Sequence, residues 1–93
     1  MRILSLNIRG VGGGPKHTLL KHLVYAIKPD IVLLQETMVS AECARLTLGK
    51  LFPSWGLCSS DSVGRSGGLF VAWDRNKLNL SPFLISAGIL LEG

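Results

Sequence analysis

Polar residues that could contact a phosphate or a metal ion stand at the ends of two apolar stretches. The stretch "RILSLNIRG" closes with Asn7, Arg9 and Gly10, and the stretch "KPDIVLLQET" closes with Glu36. A single carboxylate can bind Mg²⁺, because this ion keeps several waters and usually takes one or two protein carboxylates. Amide and guanidinium groups can bind phosphate oxygens. These residue types therefore permit a metal and anion site at the strand ends.

Each of these residues also has an ordinary structural interpretation. Asn7 can close a turn, since asparagine side chains readily bond the backbone two residues further on. Arg9 can be a solvated cation and Glu36 a solvated carboxylate. His17 and His22 are five residues apart rather than four, which favours a surface role over a helical metal pair. The residue types alone leave both interpretations open.

Apolar periodicity predicts the elements that position the candidate residues. Alternation over residues 2 to 8 predicts a strand, helical spacing over 15 to 28 predicts a helix, and the apolar run over 30 to 36 predicts a second strand. A strand, helix and strand in this order indicate parallel strands of one sheet, whose carboxyl ends meet at the same edge. We therefore expect Asn7 and Glu36 to lie close enough to share one hydrated Mg²⁺.

The second half of the chain predicts one more helix and a set of strands. Ser40 is a suitable N-cap for a helix over residues 40 to 50. Strands are expected at 55 to 60, 68 to 73 and 78 to 85, with "DSVGRS" as a polar loop between the first two. The expected fold class is α/β, with helices packed on a mixed β-sheet.

Composition and charge exclude several classes of protein. The net charge of +4 is compatible with a polyanionic partner but does not require one. No apolar run is long enough to span a membrane or to form a signal peptide, so we expect an intracellular protein with no membrane partner. The glycine loop over residues 10 to 14 fits no ATP or NAD fingerprint, because Pro15 stands where a glycine is required. Cys43 and Cys58 lack metal-site spacing and are expected to be free thiols.

Three motifs in order favour the metal and phosphate interpretation. The segments "RILSLNIRG", "KPDIVLLQET" and "SGGLFVAW" resemble the endonuclease/exonuclease/phosphatase superfamily, and most closely the endonuclease domain of plant LINE-type retrotransposon polyproteins. The resemblance covers nearly the whole chain. It implies that Asn7 orients a phosphate or water and that Glu36 binds Mg²⁺ or Mn²⁺. It implies a structural role for Gly67 and Gly68. The functional interpretation of Arg9 is a phosphate contact, which follows from its residue type.

The resemblance also implies what this chain does not supply. We assign no residue here to the family's later motifs, which provide a tyrosine or arginine near the phosphate, an Asp-x-Asn pair and a terminal Asp-His that activates water. Residues 1–93 are therefore expected to be the amino-terminal portion of a Mg²⁺-dependent phosphodiesterase domain, ancestrally a retroelement DNA endonuclease and inactive alone. A nuclear location is compatible with that role.

Two alternatives remain open, a nucleic-acid-binding remnant without catalysis and a hydrolase of small phosphate esters on the same scaffold. An incomplete domain would also leave the apolar segments "GGLFVAW" and "PFLISAGILL" exposed.

Overall fold

The computed structural model describes residues 1–10, 14–63, 66–79, 81–85 and 88–92. Over these residues the chain forms strands and helices in an α/β arrangement, as predicted. The elements in chain order are β1 (Ile3–Asn7), α1 (Gly14–Ile27), β2 (Ile31–Gln35), α2 (Ala41–Leu48) with a 3₁₀ turn (Gly49–Leu51), β3 (Gly56–Val63), β4 (Ser66–Trp73), β5 (Ser81–Ile85) and β6 (Gly88–Glu92).

The first four strands form one mixed sheet in the order β1-β2-β4-β3. β1 and β2 are parallel, which confirms the arrangement predicted for the strand, helix and strand unit. β4 is antiparallel to both β2 and β3 and lies between them. β5 and β6 pair with each other in a separate two-stranded antiparallel sheet.

Local sequence signals account for the helix boundaries. Pro15 occupies the first turn of α1, and the helix ends two residues before Pro29. Pro suits a first turn, where its missing N–H is not needed, and it disfavours helix in the residue that precedes it. Ser40 caps α2 as predicted, since its Oγ accepts a hydrogen bond from the Cys43 N–H at 3.1 Å.

Both helices pack on one face of the four-stranded sheet. The buried side chains of that layer are Leu4, Leu20, Val32, Leu34, Ala44, Leu48, Phe52, Phe70 and Ala72. A second buried cluster lies on the opposite face and consists of Ile31, Cys58, Val71 and Trp73. Adjacent residues of β2 and of β4 therefore belong to different clusters, as strand alternation requires. Within the described part of the chain, neither helix is long and apolar enough to cross a membrane.

The predicted length of the loop "DSVGRS" is wrong. β3 continues to Val63 and β4 begins at Ser66, with Ser62 paired to Gly67 and Val63 paired to Ser66. The polar residues remain in the strands because backbone hydrogen bonds of the antiparallel ladder extend the hairpin beyond the buried part of the sheet. The single strand expected over residues 78 to 85 is β5, and β6 follows it as an additional strand.

The expected exposure of "GGLFVAW" is also wrong. Phe70, Val71, Ala72 and Trp73 are all buried. Their burial follows from the position of β4 between two neighbouring strands, with a helix layer on one face and the second cluster on the other. The side chains of "PFLISAGILL" lie outside the described residues.

Candidate functional site

The carboxyl ends of β1 and β2 lie side by side, and we call this region the carboxyl edge. Asn7 is the register partner of Gln35, which directly precedes Glu36. The pairing continues past the strands, because the Ile8 N–H donates to the Gln35 carbonyl at 3.0 Å and the Gly10 N–H donates to the Glu36 carbonyl at 2.7 Å. Asn7 and Glu36 therefore share one edge of the sheet, although no hydrogen bond joins their side chains within the described residues.

The backbone of the carboxyl edge adopts unusual conformations. Eight residues in the described part of the chain have positive φ, and six of them lie here. They are Arg9 (48°), Gly10 (95°), Glu36 (56°), Met38 (59°), Gly67 (87°) and Gly68 (89°). A non-glycine residue in this region costs about 1 kcal/mol or more and persists only where its surroundings hold it, a situation common at functional sites.

The third sequence motif contacts the segment that carries Glu36. The N–H groups of Thr37 and Met38 donate to the carbonyls of Gly68 and Gly67, at 3.2 and 3.0 Å. A Cβ atom added to Gly68 would lie 2.2 Å from Thr37 Oγ1, so the two backbones can approach only because residue 68 is glycine. The three motifs identified in the sequence therefore meet around Glu36, and Gly67 and Gly68 have the structural role that the resemblance implies.

Thr37 carries a buried hydroxyl beside Glu36. Its side chain is fully buried, and Oγ1 has no hydrogen-bond partner within the described residues. A buried polar atom without a partner costs roughly 1–3 kcal/mol, and such exceptions in a folded protein call for an explanation. The unpaired hydroxyl of Thr37 and the positive φ of Glu36 and Met38 each cost stability. The segment from Glu36 to Met38 is therefore not optimised for stability alone.

Lys16 holds the loop that follows β1. Its Nζ donates to the carbonyls of Ile8, Arg9 and Gly10 at 2.9, 2.7 and 3.1 Å. These three bonds use the full donor capacity of the ammonium group. Lys16 therefore fixes the loop and places a positive charge at the carboxyl edge without being directed at a ligand.

Sequence reasoning assigned no function to Lys16, because a lysine in the first turn of a helix is most often a solvated surface cation. One signal could have found it. A lysine in the first helical turn, directly after a glycine loop, lies within reach of the carbonyl groups at the end of the preceding strand.

The Asn7 side chain forms the turn hydrogen bond that its structural interpretation predicts. Its Oδ1 accepts a hydrogen bond from the Arg9 N–H at 3.2 Å. Because this oxygen is engaged, the residue is better suited to an indirect role at a metal than to direct ligation. Its amide NH₂ group has no partner within the described residues and can donate to a phosphate oxygen. The guanidinium of Arg9 is likewise exposed and unpaired in this part of the chain.

The Glu36 carboxylate is half-buried and has neither an ion pair nor a hydrogen bond within the described residues. In the same residues no group of three or more His, Cys, Asp or Glu side chains could hold a metal ion. A lone carboxylate fits a hydrated Mg²⁺ that is also held by phosphate oxygens, and it does not fit a cage built only from protein ligands. A metal ion held here by Glu36 would therefore need further ligands from water or from a second molecule.

The remaining candidate residues are the two histidines and the two cysteines. His22 is exposed on α1, and His17 lines a pocket of 190 Å³ between β1 and the two helices, which Asn7 and Lys16 also line. The two cysteines are free, as predicted, and burial raises the pKa of the Cys58 thiol.

An Asp-x-Asn sequence is present at Asp74 and Asn76, in the turn after β4. Because β4 is antiparallel to β2, this turn lies at the opposite edge of the sheet from Glu36. The Asp74 Oδ1 there accepts a hydrogen bond from the Asn76 N–H at 2.9 Å. These residues therefore form a turn and do not contribute to the carboxyl edge.

Comparison with models of known protein families found none that matches this chain. A search of curated proteins found no match either.

Proposed function

We propose that the carboxyl edge is one half of a Mg²⁺-dependent phosphodiester-hydrolysing site, and that the chain is the amino-terminal portion of an endonuclease/exonuclease/phosphatase domain that acts on DNA. The observation that carries this proposal is that Glu36 combines a fixed backbone with an unpaired carboxylate. Its main chain is held from both sides, by Gly10 and through Thr37 by Gly68, while its carboxylate is left unpaired within the described residues.

Each residue of the carboxyl edge would bind either the cation or a phosphate. Glu36 would hold a hydrated Mg²⁺ or Mn²⁺, the Asn7 amide would donate to a phosphoryl oxygen, and the Arg9 guanidinium would contact a neighbouring phosphate. The bound ion would neutralise charge that develops on the phosphoryl oxygens. Because one carboxylate alone binds Mg²⁺ weakly, a phosphodiester should strengthen metal binding.

Catalysis by this chain alone should be very slow. The hydrogen bonds of Asp30 go to Lys77 and Arg2 and that of Asp74 to the Asn76 backbone, so these two aspartates are engaged in structural contacts. General-base catalysis contributes roughly 10²- to 10⁴-fold to such reactions. We therefore expect metal-dependent phosphate binding without appreciable cleavage, which also describes the alternative of a nucleic-acid-binding remnant.

The test measures Mg²⁺ binding by calorimetry on the 93-residue chain, with and without the dinucleotide TpT. We expect TpT to strengthen Mg²⁺ binding in the wild type and in Glu42→Gln, a control that removes an exposed carboxylate from α2. The effect should disappear in Glu36→Gln. Equal Mg²⁺ binding by the wild type and Glu36→Gln would refute the proposal. Mg²⁺-dependent nicking of plasmid DNA above a Glu36→Ala control would refute the expected lack of cleavage.

A further inference from the structure

The positive charge of the chain is concentrated in its first 29 residues. This part contains no Asp or Glu. Its cations are Arg2, Arg9, Lys16, Lys21 and Lys28. Residues 30–93 carry five Lys or Arg against six Asp or Glu, so the whole excess of positive charge belongs to β1, α1 and the segments beside them. Such an asymmetry is the electrostatic footprint of a polyanion-binding surface.

The outward side of α1 combines these cations with an aromatic ring. Lys21 and Tyr25 are four residues apart, which places them on one side of the helix, and Lys28 follows just beyond the helix end with a positive φ of 52°. All three are exposed, and Tyr25 is the most exposed of the large apolar side chains in the described residues, at 81%. Lys28 follows the last helical residue, and its N–H still bonds the Val24 carbonyl at 2.9 Å. We call these three residues the α1 stripe.

Arg2 extends the stripe at its carboxyl-terminal end. Its Nη1 donates to the carbonyl of Ile27 at 2.7 Å, which caps α1 and holds a third cation next to Lys28. Asp30, which follows in the chain, accepts hydrogen bonds from the Lys77 Nζ and the Arg2 N–H, each at 2.9 Å. The stripe therefore runs about 10 Å along the helix with no acidic residue in α1 to neutralise it.

We propose that the α1 stripe binds single-stranded nucleic acid, with Tyr25 stacking on an unpaired base while Lys21, Lys28 and Arg2 contact phosphates. Exposed aromatic rings between cations bind single strands because every base offers a face for stacking. A membrane surface fits less well. An interfacial helix must insert an apolar side into the bilayer, and the apolar side of α1 is packed on the sheet through Leu20 and its neighbours.

This proposal rests on the nucleic-acid partner of the proposed function and gives that partner a second binding surface. The test is made in EDTA, which removes any metal ion that the carboxyl edge would need. Binding of fluorescein-labelled (dT)₁₂ is followed by fluorescence anisotropy in EDTA over a series of salt concentrations. Tyr25→Ala should weaken binding at least about fivefold, whereas Tyr25→Phe, which keeps the ring, should bind like the wild type. Lys21→Gln/Lys28→Gln should reduce the slope of log K against log[salt] by about 1.4, two phosphate contacts at roughly 0.7 each.

The control variant Arg45→Gln/Lys50→Gln removes the same charge from exposed positions on and after α2. It should change the affinity much less than Lys21→Gln/Lys28→Gln, and an equal loss would mean diffuse attraction and overturn the proposal. Unchanged binding by Tyr25→Ala would overturn it as well, as would binding to anionic phospholipid vesicles without binding to (dT)₁₂. Loss of (dT)₁₂ binding in EDTA by Tyr25→Ala and loss of TpT-dependent Mg²⁺ binding by Glu36→Gln are measured separately, so that failure of the stripe and failure of the metal site give different results.

Discussion

The two ends of the β1–β2 pair are held together in different ways. At the amino end, Asp30 accepts hydrogen bonds from the Lys77 ammonium and from the Arg2 backbone, so the carboxylate is paired. At the carboxyl end, Glu36 and Arg9 leave their charged groups unpaired within the described residues, and the chain is held by backbone hydrogen bonds and by the Lys16 ammonium, which donates to carbonyl groups. The charged groups at the amino end therefore stabilise the fold. At the carboxyl end, the backbone of Glu36 is fixed while its carboxylate remains able to bind a ligand.

The largest effect should come from closing the space between Gly68 and Thr37. In Gly68→Ala the new methyl group would overlap Thr37 Oγ1, and alanine would be strained at a φ of 89°. We expect a loss of about 3 kcal/mol in the free energy of unfolding, measured by urea denaturation.

Thr37→Ala removes the overlapping hydroxyl and serves as the matched partner. The double variant Thr37→Ala/Gly68→Ala should recover part of the loss and leave the backbone strain and the close approach to the Met38 nitrogen, at 3.2 Å. If the two substitutions are simply additive, the close contact at the carboxyl edge is not what makes glycine necessary.

A smaller effect is expected from removing the Lys16 ammonium. Lys16→Met keeps much of the aliphatic side chain but leaves three loop carbonyls without their donor. We expect a loss of about 1 kcal/mol in stability and faster hydrogen exchange at the Gly10 N–H, measured by NMR. Lys21→Met on the outer side of the same helix should change neither quantity, and an equal effect there would show that Lys16 does not hold the loop.

The ion pair at the amino end should give a pH-dependent contribution. Hydrogen bonds from Lys77 and from the Arg2 backbone lower the pKa of Asp30 below its ordinary value of 3.8. The hydrogen bond to Asp30 raises the pKa of Lys77 above 10.5. The pair therefore stabilises the fold between these limits, and its contribution is lost as the pH falls through the lowered pKa or rises through the raised one.

Melting temperatures of the wild type and Asp30→Asn should accordingly differ most near neutral pH. The difference should shrink below pH 3.8 and above pH 10.5. A difference that is constant across the whole range would mean that the charge of Asp30 does not contribute.

The smallest effect on stability is expected at Glu36. Glu36→Gln removes a carboxylate that has no partner within the described residues, so the free energy of unfolding should change by no more than about 0.5 kcal/mol. A loss as large as that of Asp30→Asn near neutral pH would mean that Glu36 is a structural residue, and the contrast between the two ends would disappear.

The sequence predicted the elements that depend on local signals. β1, α1 and β2 follow from apolar periodicity, and Ser40 and the prolines define helix boundaries because caps and missing N–H groups act within a few residues. Parallel pairing of β1 with β2 follows from the chain order. Asn7 and Glu36 were therefore correctly expected at one edge.

The features that the sequence did not predict depend on contacts between distant segments. The positive φ of Glu36 and Met38 is maintained by bonds from this segment to Gly10, in the loop after β1, and to Gly67 and Gly68 in β4. The full length of the β3–β4 hairpin likewise reflects ladder hydrogen bonds rather than the polar composition of its tip. The availability of the Glu36 carboxylate is also a tertiary property, since it depends on which cations fold next to it.

The sheet order β1-β2-β4-β3 has a consequence for the folding pathway. β3 and β4 are consecutive in the chain and can pair quickly as a hairpin, whereas β2 must wait for β4, because Ile31 pairs with Trp73 across the whole of α2 and β3. We therefore expect the rate-limiting step to be the docking of the preformed hairpin onto the β1–α1–β2 unit. On a ribosome, β2 would remain without its second neighbour until Trp73 has emerged, and this interval is when the chain most needs a chaperone.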